Sequence, residues 1–291
     1  MKLRGAIPPM ITPFRKDGSL DEQAVVDVAS FLAKHVHGLF ICGTYGGGPL
    51  MTVAERKRVC ELTIEAAQGK IPVIAHVGTM DTASALELAT HAEAAGATAV
   101  ASIPPPYFAH NEDNVLHYFK LLVEAVDVPV YLYNNPKTVG YAISPGFLAK
   151  VAEEAHISGV KDSSFDIMIF SDYKRYCDPE FDVVLGTEGL LVPAMALGAQ
   201  AFIPGLGNAF PKLMADFYRT CVEGTSGEAL AFQHRVNRIR EAMHLGGANL
   251  VTVQELLKLQ GINAGWPRLP FQPLSSDKLA QVQKALDQCD L

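Results

Sequence analysis

Short apolar segments alternate eight times with segments of helical pattern between residues 5 and 222 of this 291-residue chain. The apolar segments are 5–11, 38–42, 71–77, 99–103, 128–133, 157–161, 182–185 and 201–204. The helical segments that follow them are 21–35, a helix that begins at Thr52, 82–95, 112–126, 145–154, 167–176, 188–197 and 211–222. Strands that are apolar along their whole length are typical of parallel sheets covered on both faces.

Eight consecutive strand–helix units predict a (β/α)8 TIM barrel, because this α/β fold takes ~250 residues and places one helix after each strand. An open doubly wound sheet is the alternative, but its usual Gly-x-Gly-x-x-Gly turn after the first strand is absent here. Beyond residue 224 the pattern becomes helical at 228–245, 250–259 and 276–288, with the proline-broken connection GINAGWPRLPFQPL. We expect a barrel domain at residues 1–224 and a C-terminal helical region at residues 225–291.

Charge and composition exclude several classes of partner. The formal net charge of -7 and the pI near 5.7 give no basic surface for nucleic acid, and no polybasic cluster indicates an anionic membrane surface. Pro8, Pro9 and Pro13 interrupt the apolar N-terminal segment, so we expect neither a signal peptide nor a membrane span there. The five cysteines form no CxxC pair and are expected to be reduced thiols of a cytoplasmic protein.

Lys161 ends the sixth apolar segment and is followed by Asp162, Ser163 and Ser164. A lysine at the end of a buried strand is unusual, because burial disfavours the ammonium and lowers the pKa of the amine. A neutral lysine amine can attack a ketone and form a Schiff base. The alternative is that Lys161 only begins the surface loop after the strand. The residues at the other strand ends decide between these two interpretations.

Other candidate site residues follow neighbouring strands at their C-terminal ends, where the active sites of such barrels lie. They are Thr44, Tyr45, Tyr107, Tyr133, Asn134, Ser163, Gly186, Glu188 and residues 203–207. A tyrosine such as Tyr133 can donate and accept the protons that imine chemistry exchanges, and a hydroxyl such as Thr44 can relay them. The backbone amides of residues 43–46 could bind a carboxylate, because glycine permits a turn that points successive N–H groups at an anion.

Each of these features also has a structural alternative. A tyrosine at a strand end can belong to the core or to an interface, and the glycine-rich turn lacks the Gly-Lys-Ser/Thr ending of a P-loop. Glu188 is either a substrate contact or a first-turn acid favoured by the helix dipole. The GLGN segment at 205–208 is either a phosphate-binding loop or a structural turn. Histidines such as His35 and His37 lack acidic or cysteine partners at ligand spacing, so we expect no metal site.

Three motifs occur in a fixed order: GTYGGGP at 43–49, YNNP at 133–136 and GVKDSS at 159–164. With these motifs, and with ITPF near its start, the chain resembles the dihydrodipicolinate synthase and N-acetylneuraminate lyase family of pyruvate-dependent class I aldolases over essentially its whole length. The resemblance implies a (β/α)8 barrel with a C-terminal helical region and a homotetramer built as a dimer of dimers. It also implies catalysis through a covalent imine, without a metal or another cofactor.

The motifs assign roles by position in the resemblance. Lys161 resembles the Schiff-base lysine of the family, and Tyr133 resembles the tyrosine that shuttles protons and contacts the carboxylate of the imine. Thr44 resembles the hydroxyl of the carboxylate-binding loop, and Ile203 a backbone contact to pyruvate. We therefore expect Lys161, Tyr133 and Thr44 to be catalytic. The substrate-binding residues that we expect are Tyr45, Gly46, Ile203, Ser163, Gly186 and Tyr107.

The chain departs from the family pattern at positions that select the substrate. The carboxylate-binding loop of the family usually reads Gly-Thr/Ser-Thr-Gly-Glu, whereas Tyr45 and Gly47 stand at its third and fifth positions. The synthase branch carries an arginine at the position of Thr138, where it binds the carboxylate of the aldehyde, and threonine has no charge for this. Lys137 is a weaker substitute. Phe108 replaces the second tyrosine of a proton relay, which argues against a relay through a neighbouring subunit.

The branch of the family that acts on sialic acid is also matched incompletely. That branch has an acidic pair after the Gly186 position, whereas Glu188 is followed here by Gly189. It also has a serine at the position of Gly205. The segments 46–49 and 265–274 look closer to aldolases of 2-keto-3-deoxy sugar acids.

We therefore expect a lyase that cleaves or forms a 2-keto-3-deoxy sugar acid from pyruvate and a small polyhydroxy aldehyde through the Lys161 imine. The nearest alternative is a dehydratase or hydratase that acts on a 2-oxo acid through the same imine. A non-catalytic barrel that binds a 2-oxo acid is a further alternative, favoured by Tyr45 and Phe108. The departures argue against a dihydrodipicolinate synthase and an N-acetylneuraminate lyase. The expected partners are small molecules and, in a homotetramer, other copies of the chain.

Overall fold

Eight parallel β-strands form the centre of the computed structural model, which describes residues 2–289. The strands are β1 (Gly5–Ala6), β2 (Leu39–Ile41), β3 (Val73–His76), β4 (Ala99–Ser102), β5 (Val130–Asn134), β6 (Gly159–Asp162), β7 (Asp182–Leu185) and β8 (Ala201–Phe202). Their hydrogen-bonded order is β1-β8-β7-β6-β5-β4-β3-β2. The remaining edge closes because Pro9 forms a parallel bridge with Phe40. The predicted (β/α)8 barrel is confirmed.

Helices surround the barrel, and each strand is followed by at least one of them. They are α1 (Glu22–Ala33), α2 (Val53–Ala67), α3 (Thr82–Ala94), α4 (Glu112–Ala125), α5 (Pro136–Val139), α6 (Pro145–Ala155), α7 (Ile167–Tyr176), α8 (Leu191–Ala196), α9 (Pro211–Glu223), α10 (Ser226–His244), α11 (Asn249–Leu259) and α12 (Ser276–Leu286). The predicted capping box opens α2: the Glu55 amide donates to Thr52 Oγ1 at 3.2 Å, and the Thr52 amide donates to Glu55 Oε2 at 2.9 Å.

Strand β1 is much shorter than the predicted segment 5–11. Pro8 and Pro9 have no N–H group to donate to a ladder, so regular pairing ends at Ala6. Asn208, in the GLGN segment, replaces part of the lost ladder. Its side chain donates to Pro9 O at 3.0 Å and accepts from the Ile11 amide at 3.0 Å. These bonds join the region after β8 to the region after β1, which favours the structural interpretation of this segment.

Helix α8 begins at Leu191, three residues later than predicted. Glu188 therefore lies outside its first turn, and the interpretation of Glu188 as an acid favoured by the helix dipole is wrong. The short helix α5, directly after β5, was not predicted from the sequence. It places Lys137 and Thr138 at the C-terminal end of the barrel.

The hydrophobic core has two layers, one inside the barrel and one between the strands and the helices. Successive strand residues point to opposite faces, so Tyr131 and Tyr133 pack inside the barrel while Leu132 packs under the helices. Lys161 pairs in register with Tyr133. Because residues paired in register share a face, Lys161 also points into the barrel.

The C-terminal helices α11 and α12 both pack against α10, and α10 also contacts α8 and α9. The division into residues 1–224 and 225–291 stays a prediction. Among residues 2–289 no helix is both long and apolar enough to cross a membrane. The proline-rich connection before α12 is anchored by Arg268, which donates to Glu55 Oε1 at 2.5 Å and to Glu55 Oε2 at 2.8 Å.

Arg268→Gln is expected to destabilise the protein by about 1–3 kcal/mol at pH 7, because it removes a paired, charge-assisted contact. The hydrogen bond from Arg268 lowers the pKa of Glu55 from 4.5 to about 2. Since the folded-state pKa is depressed, this stabilisation is present above pH 4.5 and is lost as the pH falls toward 2. Urea unfolding from pH 7 to pH 3 should therefore show a shrinking difference between wild type and variant. Arg219→Gln, which breaks an exposed pair with Asp216, is the control. A constant difference would contradict the ionic explanation.

Candidate active site

A cavity of about 700 Å³, including its part open to solvent, lies at the C-terminal ends of the strands. Seven of the nine residues expected from the sequence line it: Lys161, Tyr133, Thr44, Tyr45, Ser163, Gly186 and Ile203. The barrel therefore brings together residues from five separate strand ends.

Gly46 and Tyr107 do not line this cavity. Gly46 lies on the inner side of its turn, where an added Cβ would be 3.0 Å from Cys42 N and from Met10 O. Tyr107 is 83% exposed, and its ring packs edge-on against Phe108 at 5.0 Å. Strand β4 ends at Ser102, and the three prolines before Tyr107 carry the chain away from the strand end. That these two residues bind substrate stays a prediction.

Lys161 is only 4% exposed and lies against two aromatic rings. Its Nζ is 3.7 Å from the ring centre of Tyr133 and 3.9 Å from that of Phe40. Burial lowers the pKa of Lys161 below 10.5, and the Tyr133 hydroxyl opposes this only in part. The adjacent Asp162 does not neutralise the lysine, because it points to the opposite face and accepts from Asn134 Nδ2 at 2.8 Å. The environment therefore favours a neutral amine.

Tyr133 and Thr44 are joined by Asn135, a residue that the sequence reasoning missed. Asn135 Nδ2 lies 3.0 Å from the Tyr133 hydroxyl and 3.3 Å from Thr44 Oγ1, and donates to both. Burial raises the pKa of Tyr133, but the charge of Lys161 and the hydrogen bonds of Thr44 and Ser163 outweigh it, so the pKa falls below 10. The pKa values of the amine and the phenol are thus both lowered, and groups whose pKa lies nearer the working pH exchange protons more readily.

The two asparagines of the YNNP motif point in different directions. Asn134 is the last residue of β5, and its side chain binds Asp162 and the Ile143 amide beneath the helices. Asn135 follows the strand and lines the cavity. The YNNP motif contains Asn135, but the alternation of side chains along the strand decides which of its two asparagines faces Lys161.

The loop that carries Thr44 is a tight turn, closed by hydrogen bonds from the Gly47 amide to Thr44 O at 3.2 Å and from the Gly48 amide to Gly43 O at 3.1 Å. Gly47 has a φ of 61°, a left-handed conformation that favours glycine. Within residues 2–289 the amides of Thr44 and Tyr45 have no backbone acceptor. They are therefore available to a carboxylate in the cavity.

Tyr45 occupies space that only a glycine at position 205 leaves open. A Cβ added to Gly205 would be 2.2 Å from the Tyr45 hydroxyl. Burial, followed by the charge of Glu188, raises the pKa of Tyr45, so the ring carries a neutral hydroxyl at physiological pH. Tyr45 and Gly205, which both depart from the family pattern, therefore fit each other and together set the shape of the cavity.

Gly205→Ala is expected to destabilise the protein by about 1–3 kcal/mol, because the new methyl group overpacks the site against Tyr45. In a Tyr45→Ser background the same change should cost much less, since the ring is gone. Thermal unfolding of the two single variants and the double variant gives this coupling. Gly146→Ala on α6 is a matched control, because an added Cβ there would have no neighbour within 4 Å. An equal cost of Gly205→Ala in both backgrounds would contradict the coupling.

Glu188 is buried in the cavity wall, and both of its carboxylate oxygens are occupied. Oε2 accepts from the Gly205 amide at 2.9 Å, and Oε1 lies 3.2 Å from Arg240 Nε. Burial outweighs Arg240 and raises the pKa of Glu188 above 4.5. Arg240 and Asn249 reach the cavity from α10 and α11. The sequence reasoning missed both, and no motif around them could have revealed them.

In residues 2–289 no three His, Cys, Asp or Glu side chains form a group that could hold a metal ion.

Comparison with known proteins agrees with this architecture. A family model described as "Dihydrodipicolinate synthetase family" matches residues 2–289. A 4-hydroxy-tetrahydrodipicolinate synthase of Desulfotalea psychrophila (strain LSv54 / DSM 12343) is 32% identical over 287 residues, which cover 98% of this chain and 96% of that protein.

Two solved structures have the same fold over almost their whole length. YagE from E. coli K12, a prophage protein of the dihydrodipicolinic acid synthase family in complex with pyruvate, has a TM-score of 0.94, 27% identity and 99% coverage of both chains. A Ruminococcus gnavus sialic acid aldolase, a catalytic lysine mutant, has a TM-score of 0.94, 26% identity and coverage of 100% of this chain and 98% of that chain. The chain therefore belongs to the dihydrodipicolinate synthetase family of pyruvate-dependent carbon–carbon lyases.

Proposed function

We propose that this enzyme is an aldolase in which Lys161 forms an imine with pyruvate, and which forms or cleaves a 2-keto-3-deoxy sugar acid. The observation that carries the proposal is the buried Lys161 amine, 3.7 Å from the Tyr133 ring, in a cavity without a carboxylate partner for the lysine among the described residues. The pyruvate complex of YagE supports pyruvate as one substrate.

The reaction begins when the neutral Lys161 amine attacks the C2 carbonyl of pyruvate. Loss of water from the carbinolamine gives the protonated imine, and Tyr133 supplies and removes the protons. Removal of a proton from the methyl carbon then gives an enamine, whose carbon attacks the carbonyl carbon of the aldehyde. The new C4 oxygen takes a proton from Tyr133, and hydrolysis of the imine releases the 2-oxo acid and restores Lys161. Cleavage is the reverse sequence, and the imine itself is the electron sink.

The remaining cavity residues bind and orient the substrates in this proposal. The free amides of Thr44 and Tyr45 bind the pyruvate carboxylate. The Thr44 hydroxyl passes protons to Tyr133, and Asn135 holds the two hydroxyls in line. Ser163, Gly186 and Ile203 form the wall around the reacting carbons.

A second candidate function is 4-hydroxy-tetrahydrodipicolinate synthase, which uses the same imine. It is favoured by the name of the relative from Desulfotalea psychrophila, at 32% identity. Thr138 argues against it, because its hydroxyl donates to Asn135 O at 3.3 Å and has no charge for the carboxylate of a semialdehyde. Assays with 2-keto-3-deoxy acids and with aspartate semialdehyde decide between the aldolase and the synthase.

We further propose a cytoplasmic homotetramer. Tyr107 and Phe108 are 83% and 66% exposed, which is unusual for adjacent aromatic side chains and suits a subunit interface. The five cysteines are all free. Light scattering after gel filtration tests the tetramer, and a monomeric mass would contradict it.

The deciding experiment is borohydride reduction in the presence of pyruvate, followed by intact mass and peptide mapping. A pyruvate-sized adduct on the Lys161 peptide is expected. Pyruvate release from 2-keto-3-deoxy acids, and pyruvate condensation with aspartate semialdehyde, then separate the aldolase from the synthase. Water loss from a 2-keto-3-deoxy acid without pyruvate release would indicate the dehydratase. The absence of an adduct with every 2-oxo acid would overturn the imine mechanism.

A further inference from the structure

Two cationic side chains line the cavity in addition to Lys161, and they come from distant parts of the chain. Lys137 belongs to α5 and Arg240 to α10. Both lie against the ring of Phe165: Lys137 Nζ is 5.2 Å and Arg240 Cζ 5.5 Å from its centre. Phe165 is itself 43% exposed and has a φ of 62°, an uncommon conformation for a bulky residue. The ring thus brings two positive charges to the same part of the cavity.

Glu188 orients Arg240 but contacts only one nitrogen of its guanidinium. Its Nε faces Glu188 Oε1 at 3.2 Å, and Glu188 is fixed in turn by the Gly205 amide at 2.9 Å. The two terminal nitrogens of Arg240 have no acceptor within residues 2–289, and the side chain is 29% exposed. A guanidinium held at Nε presents its free edge in a fixed geometry that matches a carboxylate or a phosphate.

The positive charges of Arg240 and Lys137 also act on a neighbouring histidine. His244 lies one turn after Arg240 on α10. Burial lowers the pKa of His244, and Arg240 and Lys137 lower it further, while Glu241 opposes them. Glu188 is the one acid among the cavity-lining residues of the described chain, and its two oxygens are already bound. Even without counting Lys161, the two cations Lys137 and Arg240 outnumber this single acid.

We infer that the aldehyde half of the substrate carries an anionic group, a carboxylate or a phosphate, and that Arg240 and Lys137 bind it. This inference rests on the proposed function and replaces the neutral polyhydroxy aldehyde expected from the sequence. A neutral aldehyde would leave the free edge of Arg240 without a partner of matching charge. Glu188 acts in this arrangement as a positioning residue for Arg240.

The first test measures how the distal charge affects imine formation, and its labelling measurement does not depend on turnover. Wild-type protein is reduced with borohydride over a concentration series of 2-oxoadipate or of 2-oxohexanoate, two acids of equal chain length with and without a terminal carboxylate. The half-saturation concentration for Lys161 labelling is expected to be at least about tenfold lower for 2-oxoadipate, in keeping with a charge-assisted pair. In parallel, pyruvate condensation is compared for D-glyceraldehyde 3-phosphate and D-glyceraldehyde. A preference in only one of these arms assigns the carboxylate or the phosphate.

The second test uses variants of the two cations. Arg240→Gln is expected to reduce the ratio between charged and uncharged probes to about one, and Lys137→Gln to reduce it about threefold. Lys137 is exposed, so its variant is informative even if loss of Arg240 disturbs folding. Arg238→Gln, an exposed arginine on the same helix, should keep the wild-type ratio.

The outcomes separate this inference from the proposed function. Labelling by pyruvate with no preference for either charged probe would overturn the anion site alone. An unchanged ratio in both the Arg240 and the Lys137 variants would overturn it as well. If pyruvate does not label wild-type Lys161, the proposed function fails and the inference fails with it.

Discussion

Replacing Lys161 with alanine is expected to lower turnover by about 10⁴-fold or more and to abolish the borohydride-trapped adduct, because the covalent route through the imine disappears. Lys161→Arg should be equally inactive, since a guanidinium stays protonated and cannot act as the nucleophile. The measurements are pyruvate formation from the best substrate and intact mass after reduction.

Thermal unfolding separates this loss of chemistry from a loss of folding. Lys161 is 4% exposed, and burial of its ammonium opposes folding, so the apolar variant Lys161→Met should unfold at an equal or higher temperature than wild type. Lys150→Ala, which removes a partly exposed lysine on α6 that does not line the cavity, is the control for activity. Full activity of Lys161→Ala, or an adduct on another lysine, would show that the nucleophile lies elsewhere.

Tyr133→Phe is expected to reduce kcat by about 100- to 1,000-fold, the usual contribution of a positioned acid–base group. It should also change the pH dependence of imine formation. Burial lowers the pKa of Lys161, whereas the Tyr133 hydroxyl raises it. Loss of the hydroxyl therefore lowers the pKa of Lys161 further, and because the neutral amine is the reactive form, the rise of the trapping rate with pH should move to lower pH.

Tyr131→Phe is the matched control for this prediction. Tyr131 lies two residues earlier on β5 and faces the same interior, but its hydroxyl donates to Asp182 at 2.9 Å. Its variant is expected to lose stability and to keep the wild-type pH profile. A pH profile that moves equally in both variants, or a Tyr133→Phe enzyme with wild-type kcat, would remove Tyr133 from the proton transfer.

The contrast between Asn134 and Asn135 illustrates the limit of sequence reasoning at this site. Both asparagines belong to one motif, and the motif placed them at a strand end. Strand β5 extends one residue further than predicted, so Asn134 points under the helices and Asn135 faces the cavity. Side chains alternate between the two faces of a strand, so the residue after Tyr133 points away from the cavity, and how far the regular strand continues depends on pairing with neighbouring strands.

The sequence by itself determined the barrel, the location of the site and the candidate nucleophile. Apolar segments and helical patterns are local signals repeated eight times, and a lysine directly after an apolar strand is also a local signal. Tertiary structure alone decided that Tyr107 and Gly46 lie outside the cavity and that Tyr45 fits against Gly205. It also decided that Arg240 faces the cavity. Tyr45, Gly205 and Arg240 lie far apart in the sequence and meet only in the folded protein. Their contacts follow from how strands and helices pack in space, and no sequence period encodes such contacts.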